Sequence, residues 1–366
     1  MEGETTSSNA HSTSLGVELA LRRVAVLGAT GMMGQTFVRL LEHHPWFQVT
    51  AVSASDRSVG RPYSEAVPSS NGTGVSSIVG NLPVVVPTPQ AVNDPDIVFS
   101  ALPADIAGPI EEKFAREGFP VFSNASSHRM DPDVPLLNPE VNSSHGGLLD
   151  QQRKRKKWDG CIVTNPNCTT AILTLSLKPL HDQFGLEKVI VASMQAVSGA
   201  GYPGVASLDI LENVIPFIKY EEEKVQQETK KILGSVNLPA SITVSASCHR
   251  VPTVNGHLEA IFVKPVSPAS PEQAIQAMRN FESTPQKLKL PTAPANPIVV
   301  RDEADRPQTR LDVDEGKGMT VTTGRVRREP VLDGIKYIAL GHNLVRGGAG
   351  CSILNAELLL TEKIIK

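Results

Sequence analysis

Cysteine is scarce in this chain. Cys161, Cys168, Cys248 and Cys351 are the only four among 366 residues, and no Cys-x-x-Cys pair occurs. That speaks against a disulfide framework and a zinc site, and for a reducing compartment. Long apolar runs are missing too. With no stretch of about 18 apolar residues, no membrane-spanning helix is expected. Neither sign of charge dominates: 35 Lys and Arg face 38 Asp and Glu, for a net charge of −3. Such a balance is neither a nucleic-acid nor a membrane-surface footprint. The first 20 residues contain no Arg or Lys, are rich in Ser and Thr, and carry Glu2, Glu4 and Glu18. They lack the basic start and apolar run of a secretory signal and the arginines of a mitochondrial presequence. Residues 1–20 therefore read as a disordered tail, and the expected location is cytoplasmic. No internal repeat is found.

What is present suits a soluble, two-domain protein. The chain is 40% hydrophobic and 20% charged, and too long for one ordinary domain. Order is expected from about residue 21. Val24-Ala25-Val26-Leu27 reads as a strand, a glycine-rich turn follows, Gln35 to His43 reads as a helix ended by Pro45, and Phe47 to Ser53 reads as a second strand. This is a βαβ unit, which builds a parallel sheet. Further strands are expected at 82–86, 96–100 and 120–124, with a helix at 106–117. The first domain, 21–165, thus reads as a doubly wound Rossmann-type unit in an α/β chain. Strict alternation stops beyond it. Helices are expected at 169–181 and 271–281, and strands at 189–197, 241–247, 258–263 and 319–325. An α+β catalytic and dimerisation domain with a mixed or antiparallel sheet is expected over 166–344. An apolar helix near the C-terminus, within 345–366, is expected to pack back on the first domain. The basic run Gln151-Gln152-Arg153-Lys154-Arg155-Lys156-Lys157 reads as a solvated loop, with a nucleic-acid or nuclear-localisation patch as the alternative.

Gly28-Ala29-Thr30-Gly31-Met32-Met33-Gly34 lies between strand and helix. Glycines allow a tight turn and close approach to a pyrophosphate, which the helix N-terminus attracts. The same spacing also serves a purely structural turn. Where an NAD enzyme places an acid for the ribose 2′-hydroxyl, this chain has Ser53-Ala54-Ser55-Asp56-Arg57-Ser58. Ser53, Ser55, Arg57 and Ser58 suit a 2′-phosphate, so NADP is favoured despite Asp56.

Asn165-Pro166-Asn167-Cys168-Thr169-Thr170 opens a helix at the domain junction. A thiol there is expected to have a depressed pKa, and thiolate is the form that attacks acyl carbons. The threonine hydroxyls are expected to cap free N–H groups. From these residues alone, a buried structural cysteine remains the competing interpretation.

Several motifs then occur in a fixed order. The glycine turn is followed by Ser100-Ala101-Leu102-Pro103-Ala104-Asp105 and by the Cys168 motif. Gln195-Ala196-Val197-Ser198-Gly199-Ala200-Gly201 comes next. His249-Arg250-Val251-Pro252-Thr253-Val254-Asn255-Gly256-His257 and Asn343-Leu344-Val345-Arg346-Gly347-Gly348-Ala349-Gly350 complete the set. Together, across roughly residues 22 to 366, they resemble the aspartate-semialdehyde dehydrogenase family, in its archaeal and fungal branch. The resemblance implies reversible, NADPH-dependent reductive dephosphorylation of L-4-aspartyl phosphate to aspartate semialdehyde through a thioester on Cys168. It implies His257 as the acid–base group, suited by a pKa near neutrality, and Gln195 as the residue orienting substrate and nucleophile. Arg250 would take the substrate carboxylate and Arg129 the phosphate, with Asn167 also at the substrate. Glu221 and Lys224, three apart on a helix, would meet ammonium and phosphate. Glu222 and Glu223 leave the choice of acid open by one position. Beside Gly28, Thr30, Gly31, Met32, Met33 and Gly34, the cofactor set includes Ser198, Gly199, Asn343 and Gly348 near the nicotinamide, with Asn343 placed to bond the carboxamide. No metal is implied. A homodimer or homotetramer is, serving threonine, methionine and related amino-acid biosynthesis. Arg346-Gly347-Gly348-Ala349-Gly350 departs from the family's usual Arg-x-Gly-Ala-Ala.

The same cysteine and histidine would also serve a malonyl-CoA reductase. N-acetylglutamyl-phosphate reductase shares the chemistry but has a different cysteine motif. An NADP-binding redox sensor without turnover is the non-enzymatic alternative.

Overall fold

A computed structural model of the chain describes residues 21–67 and 77–366. The expected tail at 1–20 lies outside the described residues. Strands are numbered in chain order, and helices of nine residues or more likewise.

The first sheet contains β1 (Arg22–Leu27), β2 (Phe47–Ser53), β3 (Val84–Val85), β4 (Ile97–Ser100), β5 (Pro120–Ser123) and β6 (Cys161–Thr164). Its order is β3-β2-β1-β4-β5-β6, and every pairing is parallel. β3 is shorter than expected, because Pro83 has no N–H to add to the ladder. Both faces are covered, as a parallel sheet requires. On one face Phe37, Val38 and Leu41 of α1 (Met32–Leu41) pack with Ile353, Ala356 and Leu359 of α7 (Gly350–Thr361). On the other, Ala107, Phe114 and Ala115 of α2 (Ala104–Arg116) pack beneath Val98 and Val121.

The second sheet is mixed. It holds β7 (Leu186–Gln195), β8 (Thr243–Arg250), β9 (His257–Pro265), β10 (Ile298–Arg301), β11 (Val321–Glu329) and β12 (Gly334–Gly341). The order is β10-β11-β12-β9-β7-β8, parallel at the two outer pairs and antiparallel between. β10 and β12 were not anticipated. β12 is buried along most of its length, so it shows little of the alternation that reveals a half-exposed strand. One sheet face carries the core with α4 (Cys168–Phe184), α5 (Glu221–Leu233) and α6 (Pro271–Arg279). On the other, Ile190 is 43% exposed and Thr243, Ser245 and Ser247 face solvent.

The basic run is a helix, not a loop: α3 spans Leu148–Lys156. Its cations are largely used inside the chain. Arg153 donates to the Ile364 carbonyl, Arg155 pairs with Asp133, and Lys156 pairs with Glu112 while sitting 5.0 Å from the Trp158 ring centre. That pairing disfavours a nucleic-acid patch. No helix of the described residues is long and apolar enough to cross a membrane.

Candidate active site

The glycine turn is forced by contacts within the fold. A Cβ on Gly28, whose φ is +72°, would lie 2.7 Å from the Ala101 carbonyl, and one on Gly34 would lie 2.5 Å from the Ala29 Cα. Gly31 differs. A Cβ there would meet only the Gly28 oxygen, at an ordinary 3.5 Å. The protein itself tolerates a side chain at Gly31, so the bare backbone at this helix start leaves room for an approaching pyrophosphate. α1 begins at Met32, earlier than expected, with Gly31 as N-cap. The ring of Tyr63 lies beneath the turn and its hydroxyl donates to the Ala29 carbonyl at 2.9 Å.

Beyond β2, Ser55 and Arg57 are exposed and Ser58 half-buried. Ser53 is not available to a 2′-phosphate. It ends an interior strand and is fully buried, with its backbone carbonyl accepting from Ala29.

The chemical centre lies where the two sheets meet, in a cavity of about 450 Å³. Its lining includes Met32, Met33, Arg129, Asn167, Cys168, Gln195, Ser198, Gly199, Glu221, Lys224, Arg250 and Asn343. Cys168 is the first residue of α4. The cap is Asn167, whose Oδ1 accepts from the Thr169 and Thr170 N–H groups at 3.0 and 3.2 Å. This corrects the expected threonine caps. Those two hydroxyls are buried without a partner among the described residues. Asn167 Nδ2 donates to Glu221 at 2.8 Å, so its side chain is committed to the protein.

The Cys168 Sγ lies 3.1 Å from His257 Nε2. The Ala196 N–H donates to Nδ1 of the same ring at 3.1 Å. A neutral imidazole that accepts at Nδ1 carries its proton on Nε2, so an N–H points at the sulfur. The expected titration ranges are both corrected. Burial pushes the Cys168 thiol up to about 12, and the Glu221 carboxylate adds to it. Arg250, Arg129 and the Thr169 amide pull the other way without overcoming burial. Burial, helped by the Arg250 charge, pulls His257 down to about 3. Both shifts favour the neutral forms of the pair.

Arg250 ends β8 beside Gln195 of β7, and its guanidinium donates to the Ala196 carbonyl at 2.7 Å. The Ala196 backbone thus anchors both, His257 through its N–H and Arg250 through its carbonyl. Arg129 is buried. Its Nη1 pairs with Glu228 at 3.0 Å, its Nη2 donates to Asn124, and its Nε has no partner among the described residues. Of the three consecutive acids, Glu221 faces the site. Glu222 instead accepts from the Cys248 N–H at 3.0 Å, and Glu223 is exposed.

The sequence matches the NAD-binding domain of semialdehyde dehydrogenases over residues 23–147 and their dimerisation domain over 177–346. It is 56% identical to the aspartate-semialdehyde dehydrogenase of Archaeoglobus fulgidus, covering 93% of this chain and 99% of that one. The chain belongs to the aspartate-semialdehyde dehydrogenase family. A malonyl CoA reductase (NADP) from Metallosphaera sedula is more distant, at 41% over 94% of this chain and 98% of its own. Among solved structures, aspartate semialdehyde dehydrogenase with NADP from Candida albicans superposes with a TM-score of 0.87 at 40% identity, covering 94% of this chain and all of that one.

Not every position expected from the family resemblance faces the cavity. His257 is fully buried behind Cys168. Asn343 lines the cavity, but its Nδ2 donates to Ser198 and its Oδ1 accepts from the Gly256 N–H, so the amide expected to meet a carboxamide is already bonded. Gly348 packs against Met33, where a Cβ would lie 2.4 Å from the methyl carbon. Its neighbour Gly347 abuts Cys168, because a Cβ there would come within 2.6 Å of the Cys168 Cβ.

Three supports were missed. Glu228 and Lys231 lie seven and ten residues after Glu221, a helical spacing that could have revealed them. Arg346, buried in the π-type turn Val345–Ala349, makes two bonds to Glu140 at 2.6 and 2.7 Å, which holds Gly347 beneath Cys168. Cys161, Cys248 and Cys351 are buried, with thiols pushed up by burial.

Proposed function

We propose that this chain catalyses the reversible, NADPH-dependent reductive dephosphorylation of L-4-aspartyl phosphate to L-aspartate 4-semialdehyde, with Cys168 as nucleophile. The observation that carries this is the Cys168–His257 contact, with Cys168 in the wall of a cavity that offers one carboxylate, Glu221, alongside the cations Arg250, Arg129 and Lys224. These charges complement a substrate with an ammonium, a carboxylate and a phosphate.

The sulfur bonds to the acyl carbon, the carbon–oxygen bond to phosphate breaks, and the thiol proton leaves with the phosphate. NADPH supplies the hydride that reduces the resulting acyl group. The thiohemiacetal oxyanion then collapses to the aldehyde and the Cys168 thiolate, which takes a proton from solvent to return the thiol. His257 Nε2–H stabilises the sulfur as it loses its proton and the carbonyl oxygen as it gains charge, and Gln195 helps orient the acyl group. Arg250 holds the carboxylate, Glu221 the ammonium, and Arg129 and Lys224 the phosphate. The turn at residues 28–34 suits the pyrophosphate, Ser55, Arg57 and Ser58 suit the 2′-phosphate, and Ser198, Gly199 and Gly348 flank the nicotinamide position. Malonyl-CoA and N-acetylglutamyl phosphate have no free ammonium for Glu221, which favours the aspartyl substrate.

The division into 21–165, 166–344 and a returning helix within 345–366 is likewise our proposal, as are a cytoplasmic location, a place in threonine and methionine biosynthesis, and assembly into a homodimer or homotetramer. Exposed apolar residues on the second unit, among them Ile190, Leu208, Leu211 and Phe217, support a second copy as partner.

The test is NADP reduction at 340 nm with L-aspartate semialdehyde. A rate that requires phosphate and disappears in Cys168→Ala supports the assignment. No activity there, with malonyl-CoA driving NADPH oxidation instead, transfers it to a CoA-thioester reductase.

A further inference from the structure

α5 presents Glu221, Lys224, Glu228 and Lys231 at helical spacing toward the first domain and the cavity. Glu228 is only 2% exposed and its carboxylate is divided between two partners. One oxygen accepts from Arg129 Nη1 at 3.0 Å, and the other accepts from the backbone N–H of Asn167 at 2.7 Å. Asn167 immediately precedes Cys168 and caps its helix. One turn further on, Lys231 Nζ donates to the Arg129, Asp131 and Val134 carbonyls at 2.7, 2.8 and 3.0 Å, which fixes the loop carrying Arg129.

We propose that Glu228 is a positioning residue that sets the spacing between the nucleophile and the phosphate arm. This rests on the assignment of Arg129 as a phosphate ligand. In an acyl phosphate a single oxygen separates the carbonyl carbon from phosphorus. Sulfur and guanidinium must therefore be held at one separation, and an error of about 1 Å costs on the order of 100-fold in rate. A single buried carboxylate bonded to both elements fixes that separation. It holds Arg129 through one Nη only and leaves Nε, buried and unpartnered among the described residues, for the incoming anion. Glu228 touches neither the sulfur nor His257. Its loss should therefore weaken the phosphate half-reaction more than the attack of Cys168 on the aldehyde.

The variants are Glu228→Gln, Arg129→Gln and the double variant, each checked by thermal unfolding. An amide at 228 still accepts from the Asn167 N–H but meets Arg129 donor to donor. Two readouts separate the roles: the phosphate KM in steady-state NADP reduction with aspartate semialdehyde, and the single-turnover NADPH burst without phosphate. Glu228→Gln is expected to raise the phosphate KM roughly tenfold or more while slowing the burst less than about threefold, and to add less than about twofold in the Arg129→Gln background. Should Glu228→Gln misfold, the double variant has a neutral pair in its place, and its phosphate KM is expected to match that of Arg129→Gln. A burst slowed as much as the KM rises, or additive effects in the double variant, would overturn the proposal. An unchanged phosphate KM in Arg129→Gln would instead sink the phosphate assignment on which it rests.

Discussion

The turn at residues 28–34 and the side-chain knot around Cys168 are both built at helix starts, yet by opposite means. The turn is made of backbone. Gly28 and Gly34 are glycines because neighbouring main chain leaves no space for a Cβ, and Gly31 leaves the helix start bare. The knot is made of side chains from distant segments: Asn167 and Cys168 at the start of α4, Glu221 and Glu228 on α5, Arg250 on β8, His257 on β9 and Arg129 on a loop. A backbone site binds by shape and dipole and needs little fixed charge. A reacting site must aim individual atoms, and aiming in a buried place requires that every charge be bonded. Substitutions in the knot should therefore change chemistry, and substitutions in the cofactor arm should change affinity.

The largest expected effect sharpens that contrast. His257→Ala removes the N–H aimed at sulfur and should lower kcat by roughly 10²–10³-fold, while NADP affinity, measured by fluorescence titration, stays within about twofold. A comparable fall in NADP affinity would erase the distinction.

Next comes the buried pair beneath Cys168. Glu140→Gln leaves the fully buried Arg346 without its counter-charge. Urea unfolding should show a loss of roughly 3–5 kcal/mol, with turnover reduced because Gly347 no longer holds Cys168 in place. An unchanged midpoint would mean that the pair does not anchor the knot.

The thiol itself gives a smaller but directional effect. With the Cys168 pKa pushed up to about 12, the thiolate fraction in the free protein should grow tenfold per pH unit across neutral pH. Iodoacetamide labelling of Cys168 should therefore accelerate by roughly 100-fold between pH 7 and 9. A plateau below pH 8 would restore the depressed pKa expected of a cysteine at a helix start.

The smallest change belongs to the cofactor arm. Arg57→Ala should raise the KM for NADP roughly five- to tenfold and leave that for NAD unchanged. Equal changes for both would remove Arg57 from the 2′-phosphate site.

The two regions also differ in how far they could be read from sequence. The turn, its strand and its helix were legible because the signal is local: glycine spacing between a strand and a helix. The parallel sheet was legible for the same reason. In the knot, Cys168, His257, Gln195 and Arg250 were reached through ordered motifs, but their state was not. Desolvation pushes the Cys168 thiol up against the pull of the helix terminus, and desolvation depends on long-range packing that local sequence does not report. Glu228, Lys231 and the Glu140–Arg346 pair escaped because each acts across a long chain separation, 61 residues from Glu228 to Asn167 and 206 from Glu140 to Arg346. Ser53 was misplaced by a related error, since the strand end that should face the ribose turned out to be interior.

The central claim is covalent chemistry at Cys168. The direct measurement is rapid quench of the protein mixed with L-aspartate semialdehyde and NADP in the absence of phosphate, followed by peptide mass spectrometry. The account predicts one aspartyl adduct per chain on the peptide containing Cys168, formed together with a stoichiometric burst of NADPH. A burst with no adduct, or an adduct on Cys161, Cys248 or Cys351 instead, would contradict it.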